Sequence, residues 1–220
     1  MQNVLVTGAN RGIGLELCRA FQARGDGVFA VCRSPSPELS ALGVRVLAGV
    51  DVTEDGSSAS LVRSLEGTRL DVLVHNAGIL RAEALGTISY DSIRAQLETN
   101  ALAPLRLTER LLPLLAPGSK IALMTSRMGS IADNTSGSMY GYRMSKAALN
   151  MAGVSLAHDL EPRGIAVVIL HPGYVRTEMT GGHGSVEPRD AAEQLVARVD
   201  ELTLATSGRF LHANGEVLPW

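Results

Sequence analysis

Thr7-Gly8-Ala9-Asn10-Arg11-Gly12-Ile13-Gly14 stands between an apolar run, Asn3 to Thr7, and a helical pattern that continues Leu15-Glu16-Leu17-Cys18. Glycines at a strand-to-helix turn let backbone N–H groups close on a pyrophosphate, which also meets the positive end of the helix dipole. The spacing is G-x-x-x-G-x-G rather than G-x-G-x-x-G. Glycines alone would equally make a tight turn with no ligand. Their position, after the first strand and before the first helix, is the context a nucleotide-binding turn requires. Gly8, Asn10, Arg11, Gly12, Ile13 and Gly14 are therefore the first candidate binding residues.

Outward from this turn, short β-rich runs alternate with amphipathic stretches. The runs are Asn3 to Thr7, Gly27 to Cys32, Val44 to Ala48, Asp71 to His75, Ser119 to Thr125, Ile165 to Leu170, and a short one near Arg209 to Leu211. Val, Ile and Leu dominate them with little polar alternation, the pattern of parallel strands covered on both faces. Helical patterns lie between: Gly12 to Arg24, Ser57 to Leu65, Ser92 to Leu115, Tyr142 to Leu160 and Pro188 to Leu204. Repeated strand-then-helix predicts right-handed βαβ units and a doubly wound, mostly parallel α/β sheet of seven strands, with helices on both faces. There is no internal repeat and no linker; Ser34-Pro35-Ser36-Pro37 reads as a loop, and residues 1–220 as a single Rossmann-type domain.

Composition narrows the functional classes. The 220 residues are 45% hydrophobic and 19% charged, ordinary for a globular chain and too apolar for a disordered one. Lys+Arg 20 against Asp+Glu 22 leaves a net charge of −2, without the basic footprint of a nucleic-acid binder. Cys18 and Cys32 each sit in an apolar segment, which argues for a reducing compartment and against a disulfide framework or zinc site. Met1-Gln2-Asn3 leads straight into Val4-Leu5-Val6 without a basic n-region, and no apolar run approaches a membrane span. The expectation is a cytoplasmic protein with no membrane, nucleic-acid or metal partner.

The glycine turn resembles the T-G-x-x-x-G-x-G turn of the short-chain dehydrogenase/reductase family, and further markers follow in the family's order. They are Asp51-Val52 after the third strand, Asn76-Ala77-Gly78 after the fourth, Asn100 in the next helix, Ser126 after the fifth strand, Tyr142 with Lys146, and Pro172-Gly173 after the sixth. The resemblance implies an NAD(P)-dependent oxidoreductase. It assigns Asp51, Val52, Asn76, Ala77, Gly78, Tyr142, Lys146, Pro172, Gly173, Val175 and Thr177 to the cofactor, and Asn100 to a water that links the lysine to solvent. His75 departs from the family's frequent Asn, and His171 is a second variant, read as a strand-end residue. An NAD-preferring site carries Asp or Glu about 20 residues beyond the glycines. Here Arg33 stands at that strand end, and an arginine can fork onto a 2′-phosphate that a carboxylate would repel. With Arg11 nearby, NADP(H) is expected over NAD(H).

Tyr142 and Lys146, four apart on one helix, share a face. A phenol with a reference pKa near 10 exchanges protons poorly at neutral pH, and a neighbouring ammonium favours its phenolate. With four tyrosines and two lysines in the chain, this spacing would arise by chance roughly 0.04 times. Tyr140 is excluded because Met144 stands four residues on. Ser126, at the carboxyl edge of the sheet, can donate to a substrate oxygen beside the phenol, with Thr125 and Ser130 as rivals. The family's S-x-x-G/S run selects Ser126. Its interval to Tyr142 is 16 residues, a few more than the family's usual spacing, and the polar loop Ala132 to Met139 can absorb them.

Tyr174 to Glu187 is expected to cover the substrate as a short, glycine-rich lid, with Met128, Ile131, Tyr174 and Met179 as an apolar lining. That lining predicts reduction of apolar ketones, aldehydes or quinones with modest selectivity, the substrate being a small-molecule carbonyl or alcohol. Met139-Tyr140-Gly141-Tyr142-Arg143-Met144-Ser145-Lys146 and Leu218-Pro219-Trp220 resemble the carbonyl-reductase branch to which sniffer and C-factor belong. The alternative from another class is a dinucleotide-binding signalling or sensor protein of the C-factor type. A methyltransferase on a similar sheet is disfavoured by the complete Ser, Tyr and Lys set. Ala95 to Leu115 and Ala147 to His158 are apolar on more than one face, consistent with a homodimer or homotetramer.

Overall fold

A computed structural model describes residues 1–220. In chain order the elements are β1 (Asn3–Thr7), α1 (Gly12–Ala23), β2 (Gly27–Val31), α2 (Pro37–Ala41), β3 (Arg45–Leu47), α3 (Asp55–Ser64) and β4 (Leu70–His75). They continue with α4 (Tyr90–Leu97), α5 (Ala103–Leu111), β5 (Leu115–Met124), α6 (Tyr140–Leu160), β6 (Ala166–His171), α7 (Pro188–Glu201) and β7 (Phe210–His212). The seven strands form one sheet in the order β3-β2-β1-β4-β5-β6-β7, and every pairing is parallel. The chain winds outward from β1 to β3, then returns to place β4 on the other side of β1. The β1/β4 boundary is thus the topological switch point, where the carboxyl ends of open α/β sheets leave a crevice for ligands.

Alternation within the strands divides the core. Val4 and Val6 of β1 join Leu17, Cys18 and Phe21 of α1 and Leu195 and Val199 of α7 on one face. Leu5, between them, faces Leu61 of α3, Leu107 and Leu111 of α5 and Leu149 of α6 on the other. Both faces are buried, which is why the strands read as unbroken apolar runs. Each fully buried leucine or phenylalanine stabilises the fold by about 1.5–3 kcal/mol. No helix is long and apolar enough to cross a membrane.

Three expectations are corrected. The helix expected over Ser92 to Leu115 is two helices, α4 and α5, joined by a π-helical turn at Glu98–Leu102 and followed by a 3₁₀ turn at Leu112–Leu114. Periodicity does not register one extra residue in a turn, and Pro104 is tolerated because it falls in the first turn of α5. The fifth strand begins at Leu115 rather than Ser119, because Leu115 pairs with Leu70 across a register shift before Lys120 pairs with Val72. The Ser34–Pro37 loop runs into the short helix α2, capped where Ser36 Oγ accepts from Leu39 N at 3.1 Å. Serine followed by proline at the first helical position is a helix start.

Candidate active site

Backbone and short side chains shape the switch-point end of the crevice. Gly8 adopts φ +66°, and a Cβ there would stand 2.8 Å from Ala77 Cα; one on Gly14 would overlap the Gly8 carbonyl oxygen. Thr7, buried at the end of β1, accepts through Oγ1 from the backbone N–H groups of Asn76 (3.0 Å) and Ala77 (3.1 Å). Asn76 Nδ2 returns two bonds, to Thr7 O at 3.0 Å and Gly8 O at 3.2 Å. Four hydrogen bonds therefore lock the loop after β4 against the glycine turn. Thr177 lies just beyond, its Cγ2 3.4 Å from where a Gly12 Cβ would sit.

The resulting cleft encloses about 460 Å³. Its lining brings together Gly8, Asn10, Arg11, Gly12, Ile13 and Gly14 with Arg33, Asp51, Val52, Asn76, Ala77, Gly78, Tyr142, Lys146, Pro172, Thr177 and Met179. Gly173 and Val175 stand outside it, Val175 buried and bridged to Val186. Met128, Ile131 and Tyr174 also lie outside, Ile131 and Tyr174 largely exposed. Arg33 is exposed, with Nη1 3.8 Å from Asp51 Oδ2. Burial alone would raise the Asp51 carboxyl, but hydrogen bonds from Thr53 and the Arg33 charge outweigh it and hold it below the usual range. Arg11 pairs with Glu178 across the mouth. A glycine floor that excludes Cβ atoms, backbone N–H groups at the start of α1 and a buried ammonium opposite them fit a dinucleotide.

Toward β5 and α6 the site is made of buried polar side chains. Tyr142 is 8% exposed, and Lys146 is buried one turn along α6. Lys146 Nζ donates to Met124 O at 2.7 Å and lies 5.7 Å from the Tyr142 ring centroid. Burial pushes the lysine down to about 8 and the phenol up to about 12, while the Ser126 hydroxyl beside it pulls the phenol part of the way back. The lowering expected from Lys146 is thus not what the fold produces, because burial of the phenol itself disfavours its charged form. Ser126 Oγ also accepts from Met128 N at 3.2 Å. Its rivals are committed elsewhere: Thr125 Oγ1 donates to Asn150 Oδ1 at 2.6 Å, and Ser130 Oγ accepts from Asp133 N at 3.1 Å.

Asn100 sits fully buried in the π-helical turn. Its Oδ1 accepts from Ile79 N, and its Nδ2 donates to Ile79 O and Ser145 Oγ, at 2.8, 2.8 and 2.9 Å. Its side chain thus clamps the loop after β4 to α6. A Cβ on Gly78 would stand 3.2 Å from Asn100 Oδ1 and 3.6 Å from Lys146 Nζ, so Gly78 lets these groups converge. His75 is buried and neutral, pushed down to about 3 by desolvation, with Nε2 2.8 Å from Thr108 Oγ1. His171 is pushed down to about 4 by burial and packs edge-on against His212, in keeping with a strand-end residue.

Sequence reasoning missed Thr7, Thr53 and Arg81. Thr53 caps Asp51 through N and Oγ1 at 2.9 and 2.7 Å, and Arg81 lines the cleft without a carboxylate partner. The T-G at the head of the glycine motif was the available signal for Thr7. A free surface arginine carries no such signal. The long loop before α6 is tied at several points, with Ala132 N donating to Trp220 O at 2.8 Å and Arg127 pairing with Asp133 and Glu216.

Known proteins are similar to this chain in sequence and fold. The chain is 45% identical, over 100% of both chains, to 1-hydroxy-2-glutathionyl-2-methyl-3-butene dehydrogenase of Rhodococcus sp. (strain AD45). It is 44% identical to C-signal of Myxococcus xanthus, across 69% of this chain and 93% of that protein. Among solved structures, carbonyl reductase Sniffer of D. melanogaster superposes with a TM-score of 0.94 at 33% identity, covering 100% of each chain. NADPH-bound carbonyl reductase from chicken fatty liver superposes at 0.89 with 32% identity, covering 100% of this chain and 99% of that one. Residues 2–188 match the short chain dehydrogenase family. With the glycine turn, the Tyr142–Lys146 pair and the all-parallel sheet in the order that family shares, the chain is an oxidoreductase belonging to the short-chain dehydrogenase/reductase family.

Proposed function

We propose that this protein is an NADPH-dependent carbonyl reductase in which Tyr142 is the general acid/base. The observation that carries the reading is the convergence of Ser126, Tyr142 and Lys146 at the carboxyl edge of β5, beside a glycine-floored cleft. Held over Gly8, Gly12 and Gly14 and beside Lys146, a nicotinamide cofactor would supply the hydride. Ser126 Oγ holds the substrate oxygen against the Tyr142 phenol. In reduction the Tyr142 hydroxyl, kept protonated by burial, hands its proton to the carbonyl oxygen as negative charge develops there. In the alcohol-oxidising direction the phenolate takes that proton, favoured by the positive charges of Lys146 and the oxidised cofactor. Asn100 holds the loop after β4 against α6 and so keeps Lys146 in line.

Arg33 and Arg11 are the residues assigned to a 2′-phosphate, and an NADPH-bound relative supports the preference over NAD(H). Arg11 must then leave Glu178, and Arg33 turn from Asp51. Met128, Ile131, Tyr174 and Met179 are the substrate's apolar neighbours, with Gly173 and Val175 bracing the segment that carries Thr177. Arg81 favours a second reading of the substrate, an alcohol or carbonyl with an anionic tail such as a glutathione thioether, in keeping with the name of the Rhodococcus relative. Residues 1–220 are read as one cytoplasmic domain. It forms a homodimer or homotetramer through the exposed Leu102, Leu105, Met144 and Met151 on the helices around the π turn and on α6. A signalling protein of the C-factor type is the alternative, and the intact Ser126, Tyr142, Lys146 and Asn100 set favours the enzyme.

The test is NADPH and NADH oxidation against diketones, quinones, aldehydes and S-conjugates of glutathione, with Tyr142→Phe as control. Turnover with NADPH that vanishes in the variant is expected. Tight NADPH binding without turnover on any of these would overturn the reductase reading in favour of a cofactor-sensing protein.

A further inference from the structure

Glu83 lies in the segment between β4 and α4 and is 5% exposed, yet it forms no ion pair with any arginine or lysine. Its carboxylate is instead surrounded by donors. Oε1 accepts from Ser92 Oγ at 2.6 Å and from Gln96 Nε2 at 2.6 Å, and Oε2 accepts from the backbone N–H of Gly141 at 3.0 Å. Its own carbonyl accepts from Met139 N at 2.9 Å. Met139 and Gly141 flank the first residue of α6, and Tyr142 follows directly.

Helix α6 has no side-chain cap of its own. The capping position is Met139, which with Ser138 adopts the left-handed conformation, at φ 54° and 52°. Neither is a glycine, so both carry a backbone cost that only surrounding contacts hold in place. Both oxygens of Glu83 act purely as acceptors. The Gln96 amide cannot turn over to change this, because its Oε1 already accepts from Arg81 N at 3.0 Å and its Nε2 donates to Arg81 O. A carboxylate at the positive end of a 21-residue helix is also favoured by the dipole. The network approaches so closely that a Cβ on Gly141 would overlap Gln96 Nε2 and stand 3.0 Å from Glu83 Oε1.

We propose that Glu83 is a positioning residue for the reaction: supplied from outside α6, it caps the helix's first turn and thereby sets where the Tyr142 phenol meets the substrate oxygen. This rests on Tyr142 being the general acid/base. A Gln at 83 must turn its amide N–H either toward Gly141 N–H, which loses the cap directly, or toward Gln96 Nε2 beside Ser92, which loses the bond that holds the capping group in place; either way the shape is nearly constant. Small displacements of a reacting group cost large factors in rate.

The experiment is steady-state NADPH oxidation with a diketone for Glu83→Gln, beside fluorescence titration of NADPH and a thermal melt. The expected result is a kcat about tenfold lower or more, with KM and NADPH affinity within about twofold of the parent. A purely structural role would lower Tm and leave the kcat of the folded protein intact, and that result would overturn the proposal. If Glu83→Gln does not fold, Ser92→Ala removes one donor from the same oxygen. A two- to threefold fall in kcat is then expected, and an unchanged kcat would overturn the proposal equally. Full turnover in Tyr142→Phe would instead remove the reading on which this inference stands.

Discussion

At the glycine turn the cleft takes its shape from backbone: Gly8 and Gly14 leave no room for a Cβ, and Thr7 and Asn76 bind mainly main-chain groups. Around Tyr142 it takes its shape from buried side chains, with Lys146, Asn100, Ser126 and Glu83 each held by partners from other elements. In the first region Gly8 and Gly14 tolerate no side chain because atoms would overlap. The second accepts isosteric changes without distortion but is exposed to the loss of any one proton or acceptor. A binding surface for a flexible anion can be built from repeated N–H groups. A proton-transfer site needs groups of defined ionisation, and burial is what tunes them.

The sharpest way to break this contrast is Tyr142→Phe. Removing one hydroxyl should lower kcat by about 10³-fold while NADPH affinity, measured by fluorescence titration, stays within about twofold. A parallel loss of cofactor affinity would mean that the two regions are not separable.

Next in size is a pH effect on stability. Lys146 is protonated less readily in the folded protein, where it titrates near 8, than in the unfolded chain, where it titrates at 10.5. The unfolded state binds more protons between those values, so stability should rise with pH from about 8 towards 10 by about 3 kcal/mol. Tyr142, raised from 10.0 to about 12, acts in the opposite sense above pH 10, where the unfolded phenol loses its proton first. Urea titrations across this range should show the rise in the parent protein and a flatter profile in Lys146→Met. Identical profiles would deny the buried ammonium.

Gly14→Ala probes the backbone region, where the new Cβ meets the Gly8 carbonyl oxygen. Forced overpacking of this kind costs about 1–3 kcal/mol, so NADPH should bind about 30-fold more weakly, whereas kcat at saturation should change far less. The smallest effect belongs to Asn76→Ala, which removes two hydrogen bonds to the turn and leaves its glycines in place. NADPH affinity should fall about fivefold, with a Tm drop readable by calorimetry. If Asn76→Ala were as damaging as Gly14→Ala, side chains rather than backbone would shape this end of the cleft.

Sequence patterning was most informative where a constraint is local. The glycines declare a close backbone approach, the apolar runs declare strands buried on both faces, and Tyr142 with Lys146 declares one helix face. Chain order alone therefore announced the parallel sheet and most of the crevice. The π-helical turn at Glu98–Leu102 was not legible, because a single extra residue leaves the apolar spacing almost unchanged. The burial of Glu83 against the start of α6 was not legible either. An acidic residue in a loop looks like any solvated charge until the fold brings it against Gly141, 58 positions later in the chain.

Ionisation was decided in the same way. From spacing, Lys146 lowers the Tyr142 pKa; in the folded protein desolvation acts on both groups, raising the phenol and lowering the lysine. What the amino-acid sequence determined by itself is which residues stand at the switch point of the sheet, because that follows from strand order and glycine placement. Only the tertiary structure decided how deeply those residues are buried and which donors face them. Burial and hydrogen-bond partners come from contacts distant in sequence, and they set the charge and the aim of a catalytic group.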